Sequence, residues 1–336
     1  MRKYLSIVLL FTLSLTLLSG AVYAQDSGSY GPNGEYIPPG YELATDADFH
    51  VYPSVVDVYP LVVVDPDARP SKFHYVGTKP YVVIPHKIQG WELEGNDYYQ
   101  MFKENQHVRG VASNNPKITS MALMFHKSEA PSLDLRYLDT SNVRRMSGMF
   151  AESQATTINL STFDTSKVED MWGMFSYSKV KTLNLDHFDC SNLIHTAQMF
   201  NQSEATSISF KSFNFMPHDD FSAKVAAREE ELRRNHHPSP RLDAWNPSAQ
   251  YMFSGTKITS IDISNLSIDG YLRTYVDNQA TIKSDLGELQ QRWANLTGIA
   301  TFSNIKTIYV GSQEVKTFIE KVLSENCPAD LKIIIK

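Results

Sequence analysis

Cysteine is nearly absent. Cys190 and Cys327 are the only two in 336 residues, which excludes the disulfide framework that staples small secreted domains. In the repeat architecture argued below they fall on rungs several steps apart. At ~4.8 Å per step that exceeds the ~7 Å Cα reach of a bridge, so no disulfide is expected. Positive charge is also in deficit, with 31 Lys and Arg against 37 Asp and Glu. Without a basic cluster, nucleic acid is not expected as a partner, and charge gives no reason for adsorption to anionic lipid. Catalytic signatures are missing as well. There is no Gly-x-Ser-x-Gly, phosphate loop or His-Glu-x-x-His, so no catalytic residues, no cofactor and no enzyme are expected. His218, Asp219, Asp220, His236 and His237 lack ligand spacing; they read as a solvated loop and no metal is expected.

What is present begins with a secretory leader. Arg2 and Lys3 precede an apolar run from Leu5 to Leu18, and Val22-Tyr23-Ala24 offers small residues at both positions a signal peptidase reads. The run is short for a membrane span, so cleavage after Ala24 is expected. The C-terminus shows no sorting motif and no apolar tail. A secreted or cell-surface location without a transmembrane anchor is the expectation.

From Ile118 to Phe210 one motif returns every 25 residues. The pair Met-Phe recurs at Phe125, Phe150, Phe175 and Phe200, and again at Phe253 after a break. Eight residues after each Phe stands an apolar-polar-apolar triplet, centred on Asp134, Asn159, Asn184, Ser209 and Asp262. A fixed period of this length is the signature of a solenoid. The phenylalanines are expected to form its core. The triplets read as short strands with alternate residues inward. Val143, Met146, Met149 and Phe150, with their equivalents in other rungs, suggest one face of about two helical turns. The expected fold is therefore α/β: a right-handed leucine-rich-repeat-like solenoid, with a parallel strand and a short helix per rung. The central triplet residues Asp134, Asn159, Asn184, Ser209 and Asp262 would form an outward column. That column is either solvent-facing polarity or a hydrogen-bonding strip for a ligand. Ser128, Ser153, Ser178 and Ser203 line up as a hydroxyl ladder. Trp172 is either core-edge or an exposed contact residue.

The chain divides as follows. Residues 1–24 are the signal. Residues 25–72 are a flexible Pro/Gly-rich leader with edge strands. Residues 73–117 form an N-terminal cap, with Tyr81 to Ile84 the first strand of the array. Regular repeats occupy 118–215 and a charged insertion 216–248. An irregular repeat with a helical excursion covers 249–300, and a C-terminal cap closes the chain over 301–336.

The rung text from Thr162-Phe163-Asp164-Thr165-Ser166 to Met174-Phe175 resembles the repeat of the BspA-like leucine-rich-repeat surface proteins of bacteria, over about residues 78–336. Cys190 and Phe213-Asn214-Phe215 depart from its pattern, as does the missing wall-sorting tail. The resemblance implies a secreted or wall-associated molecule of adhesion or host contact, with no shared catalytic residues. A non-catalytic binding module for an extracellular protein or glycan is the first expectation. A structural spacer of the cell envelope is the second, and a hydrolase with its site in the insertion the third.

Overall fold

In the computed structural model the triplets form short parallel strands stacked one rung apart. The structure describes residues 28–52, 54–58, 61–65, 72–193, 195–209, 252–264, 304–323 and 329–336. The signal segment, the charged insertion, the helical excursion and Cys327 lie outside these residues.

The described strands are β1 Ser29–Tyr30, β2 Tyr36–Ile37, β3 Glu42–Leu43, β4 Phe49–Tyr52, β5 Ser54–Val58, β6 Leu61–Asp65, β7 Lys72–Tyr75, β8 Tyr81–Val83 and β9 Lys87–Ile88. They continue with β10 Trp91–Glu92, β11 Gly110–Ser113, β12 Ser132–Leu138, β13 Thr157–Asn159, β14 Thr182–Asn184, β15 Ser207–Ser209, β16 Ser260–Ile263, β17 Thr307–Val310 and β18 Lys332–Ile335. One helix, α1, spans Gln313–Leu323.

Strands β3, β8, β11, β12 and β13 form one parallel sheet, and β14 pairs β15 in the same sense. The register repeats the sequence period: Leu133 faces Ile158, and Leu183 faces Ile208. A second side of each rung is a column of single parallel bridges through Ser120, Arg145, Asp170 and His195.

The expected helix of each rung is absent from the regular rungs, and the backbone shows why. Two residues per rung, four apart, take a left-handed conformation: Leu123 and Lys127, Gly148 and Glu152, Gly173 and Tyr177, Gln198 and Gln202. A helix cannot pass through such residues. The Met-Phe segment instead winds as successive tight turns. Met149, Ala151 and Ser153 donate their N–H groups three residues back. The intervening N–H groups of Met146, Gly148, Phe150 and Glu152 donate to the carbonyls of Asp170, Trp172, Met174 and Ser176 on the next rung. Bonds that a helix would spend on itself run between rungs. The only α-helix among the described residues is α1, in the last rung, where Thr307 of β17 pairs Lys332 of β18.

The phenylalanines stack inside. Phe102, Phe125, Phe150, Phe175, Phe200 and Phe253 lie in one file with ring centroids 5.3–5.7 Å apart and nearly parallel planes. All are fully buried. Phe253 follows Phe200 directly, and the Phe200 N–H donates to the Met252 carbonyl. The rungs of Phe200 and Phe253 are therefore direct neighbours in the stack. At the other end Tyr75 and Phe49 close the file.

The described residues between 28 and 65 carry more order than the flexible leader with edge strands that is expected there. β1 and β2 form a hairpin, β4 pairs β7, and β5 pairs β6. Leu43 of β3 pairs Val83, so Tyr81–Val83 is the second strand of the array, not the first. The order comes from distant partners. The buried Glu35 carboxylate accepts the His86 N–H at 2.8 Å and the Asn33 N–H at 2.9 Å. Asn114 accepts the Tyr36 N–H at 3.0 Å and donates to the Gly34 carbonyl.

Candidate functional site

The outward column is assembled as its spacing suggests, but most of its polar capacity is turned back on the array. Asp134, Asn159, Asn184 and Asp262 each accept the backbone N–H two residues ahead, at 3.0–3.4 Å. At Asn159, Asn184 and Asp262 these local turns fall where the strands end, whereas β12 runs on past Asp134 to Leu138. Asn159 also donates to Asp134 at 3.3 Å, Ser209 to Asp186 at 2.6 Å, and Lys336 to Asp262 at 2.5 Å. Burial opposes ionisation of Asp262, yet Lys336 and Ser264 hold its carboxyl below the usual range. The column thus serves the array itself, through local turns within rungs and fastenings between them.

A different group meets on the N-terminal end of the same sheet. Tyr30, Tyr36, Tyr41, Tyr81 and Tyr137 form a connected cluster. Tyr41 lies 5.4 Å from Tyr81 and 5.5 Å from Tyr137, both edge-to-face. Tyr36 lies 6.3 Å from Tyr137 and 5.6 Å from Tyr30. Tyr30 is 73% exposed and Tyr81 41%; the other three are half-buried.

Three features place these rings. The Glu35 clamp holds the β1–β2 hairpin beside β11. A bulge in β12 sets Gly110 opposite Asp134 but Ala112 opposite Tyr137, and bulges re-aim side chains. Gly110 leaves the needed room, since a Cβ there would stand 2.6 Å from the Tyr41 hydroxyl and 2.7 Å from the Tyr81 ring.

Beside the rings lies a charged pair. The Arg136 Nε donates to Asp134 at 2.9 Å and its Nη2 at 2.6 Å, with the guanidinium 5.7 Å from the Tyr137 ring centre. Burial, reinforced by the Asp134 charge, pushes the Tyr41 hydroxyl pKa up, so it stays protonated.

The sequence reading missed this cluster because its members come from three separated segments. The visible signal was three tyrosines, Tyr30, Tyr36 and Tyr41, within a stretch otherwise composed like a linker. Trp172 is 40% exposed, on the bridge side rather than here.

The Ser ladder is only partly joined. Ser128 and Ser153 accept the amides of Ala130 and Ala155, while the buried hydroxyls of Ser178 and Ser203 find no partner. A firmer ladder runs through Thr140 and Thr165, whose hydroxyls donate to the Asp164 and Asp189 carbonyls. It ends at buried Cys190, whose sulfur lies 3.9 Å from the Phe188 carbonyl of its own rung.

Two open clefts lie on other faces, of 740 and 600 Å³. Glu104, Lys127, Glu152 and Tyr177 line the first; Lys117, Arg144, Lys167 and Glu169 line the second. Among the described residues no group of three or more His, Cys, Asp or Glu could hold a metal ion, and no helix is long and apolar enough to cross a membrane. The residues His218, Asp219, Asp220, His236 and His237 lie outside the described residues.

Residues 96–213 match the family described as "Mycoplasma protein of unknown function, DUF285". The match covers the regular rungs and stops where the period breaks. No curated protein and no solved structure matches the chain. The chain is thus a solenoid of stacked parallel strands whose central third is similar to that repeat family.

Proposed function

We propose that this protein is a non-catalytic binding module of the cell exterior, of the BspA-like kind, and that the tyrosine cluster is its contact surface. The observation that carries this reading is the meeting of five tyrosines from three segments on one sheet face. A spacer has no use for exposed rings placed at the expense of a glycine, a bulge and a buried carboxylate clamp. Tyrosine suits contact surfaces because it gives large area at little entropy cost, with a polar tip. The leader-like residues 1–24 and the similarity of residues 96–213 to the DUF285 repeats support an exterior location.

The envelope-spacer reading draws on the column from Asp134 to Asp262, much of whose polar capacity goes to turns within rungs and to bonds between them. A biosensor separates the two. The full chain lacking only residues 1–24 is immobilised and challenged with purified extracellular-matrix proteins and a glycan panel. The binding reading expects saturable binding that Tyr30→Ala with Tyr81→Ala removes. Silence across the panel supports the spacer.

A further inference from the structure

Resting on the binding-module reading, we infer that the tyrosine platform takes a neutral glycan, with Tyr30 and Tyr81 as stacking faces and the Asp134–Arg136 pair as the polar contact. A pyranose has an apolar C–H face and an edge of adjacent hydroxyls. The platform offers the counterpart of each. Tyr30 and Tyr81 present rings to solvent, and dispersion against a ring face is the attraction available to C–H groups. Across the Gly110 row from Tyr81 stands Asp134. Its carboxylate accepts, and the adjoining Arg136 guanidinium donates. Two neighbouring sugar hydroxyls can satisfy both at once by charge-assisted hydrogen bonds. Side-chain exposure leaves room for this, at 53% for Arg136 and 23% for Asp134.

Charge decides between occupants. The paired carboxylate and guanidinium cancel, and the chain as a whole carries −6. An anionic polysaccharide gains nothing here and is repelled at longer range. A cationic ligand would meet the Arg136 guanidinium, which already lies over Tyr137. A folded protein partner would seek a desolvated pocket for its anchor residues, whereas Tyr30 and Tyr81 stand out into solvent. A shallow, wet, charge-neutral aromatic strip fits an uncharged polyhydroxylated chain best.

The test uses the full chain lacking only residues 1–24. Cellopentaose, laminaripentaose, mannopentaose and chitopentaose are titrated by calorimetry to millimolar concentration, with a heparin pentasaccharide as the anionic comparison. At least one neutral pentasaccharide should bind. Tyr30→Ala and Tyr81→Ala should each weaken it roughly tenfold. Tyr177→Ala, an exposed tyrosine on another face, should leave it unchanged. All three positions are exposed, and matching urea midpoints confirm that the variants fold. Silence from all four neutral sugars overturns the inference, as does binding that the double Tyr30→Ala/Tyr81→Ala variant retains, or a preference for heparin. If the sugars are silent but a purified matrix protein binds in a Tyr81-dependent way, the glycan assignment falls and the binding-module reading stands. If neither binds, both fall.

Discussion

Replacing Phe150 with alanine removes one ring from the middle of the file, between neighbours 5.7 and 5.3 Å away. The cavity and lost ring contacts should cost about 3–5 kcal/mol, read as a fall in urea midpoint. Glycines make a subtler comparison. Gly148 and Gly173 both have positive φ, 59° and 57°. A Cβ at Gly148 would stand 2.4 Å from a Leu123 methyl, while at Gly173 the nearest neighbour is Ser176 at 3.7 Å. Gly173→Ala should therefore cost about 1–2 kcal/mol from backbone strain alone, and Gly148→Ala measurably more. The Glu35 carboxyl tests the hairpin clamp. Burial opposes its ionisation, but hydrogen bonds from His86 and Asn33 outweigh that and hold its pKa below the ordinary value. A depressed carboxyl stabilises above its unfolded pKa and loses that contribution as pH falls through the folded value. Amide exchange at Tyr36 and His86 should thus accelerate, relative to core rungs, as pH drops through the acid range. In Glu35→Gln the fast exchange should be present already at neutral pH and should not change with acid.

At the scale of the element, the legible and illegible parts of this fold separate cleanly. The 25-residue period placed the strands, the register and the phenylalanine file, because identical positions in stacked rungs must meet. The turn segments were misread. An apolar spacing of three and four is shared by a helix and by successive tight turns, and only Gly148 and Gly173 hinted at the left-handed residues that decide it. The ordered leader was illegible for another reason: Glu35 works through a backbone amide 51 residues away, and local composition carries no trace of that. The tyrosine platform was missed on the same ground.

Ion pairs also fasten the turn face. Lys179 lies 2.6 Å from Glu204 one rung on, and Lys181 contacts the same carboxylate. They lower the Glu204 pKa to about 2. This exposed group contributes above the ordinary carboxylate range and loses its effect as pH falls toward that value. NMR titration should find Glu204 still ionised well below the ordinary carboxylate range, and Lys179→Ala with Lys181→Ala should return it toward normal.

For the whole molecule the claim is that one continuous stack runs through the break in the repeat, so that rungs far apart in sequence are fixed steps apart in space. Gln106 and Lys257 occupy the same position in the first and last rungs of the phenylalanine file, and both are exposed. Spin labels at these two sites, with Cys190 and Cys327 replaced by alanine, report the separation by pulsed dipolar spectroscopy. Five steps of ~4.8 Å predict a single narrow distribution centred near ~24 Å. A broad distribution, or a mean displaced by more than about two such steps, would contradict the stack and with it the placement of the tyrosine face.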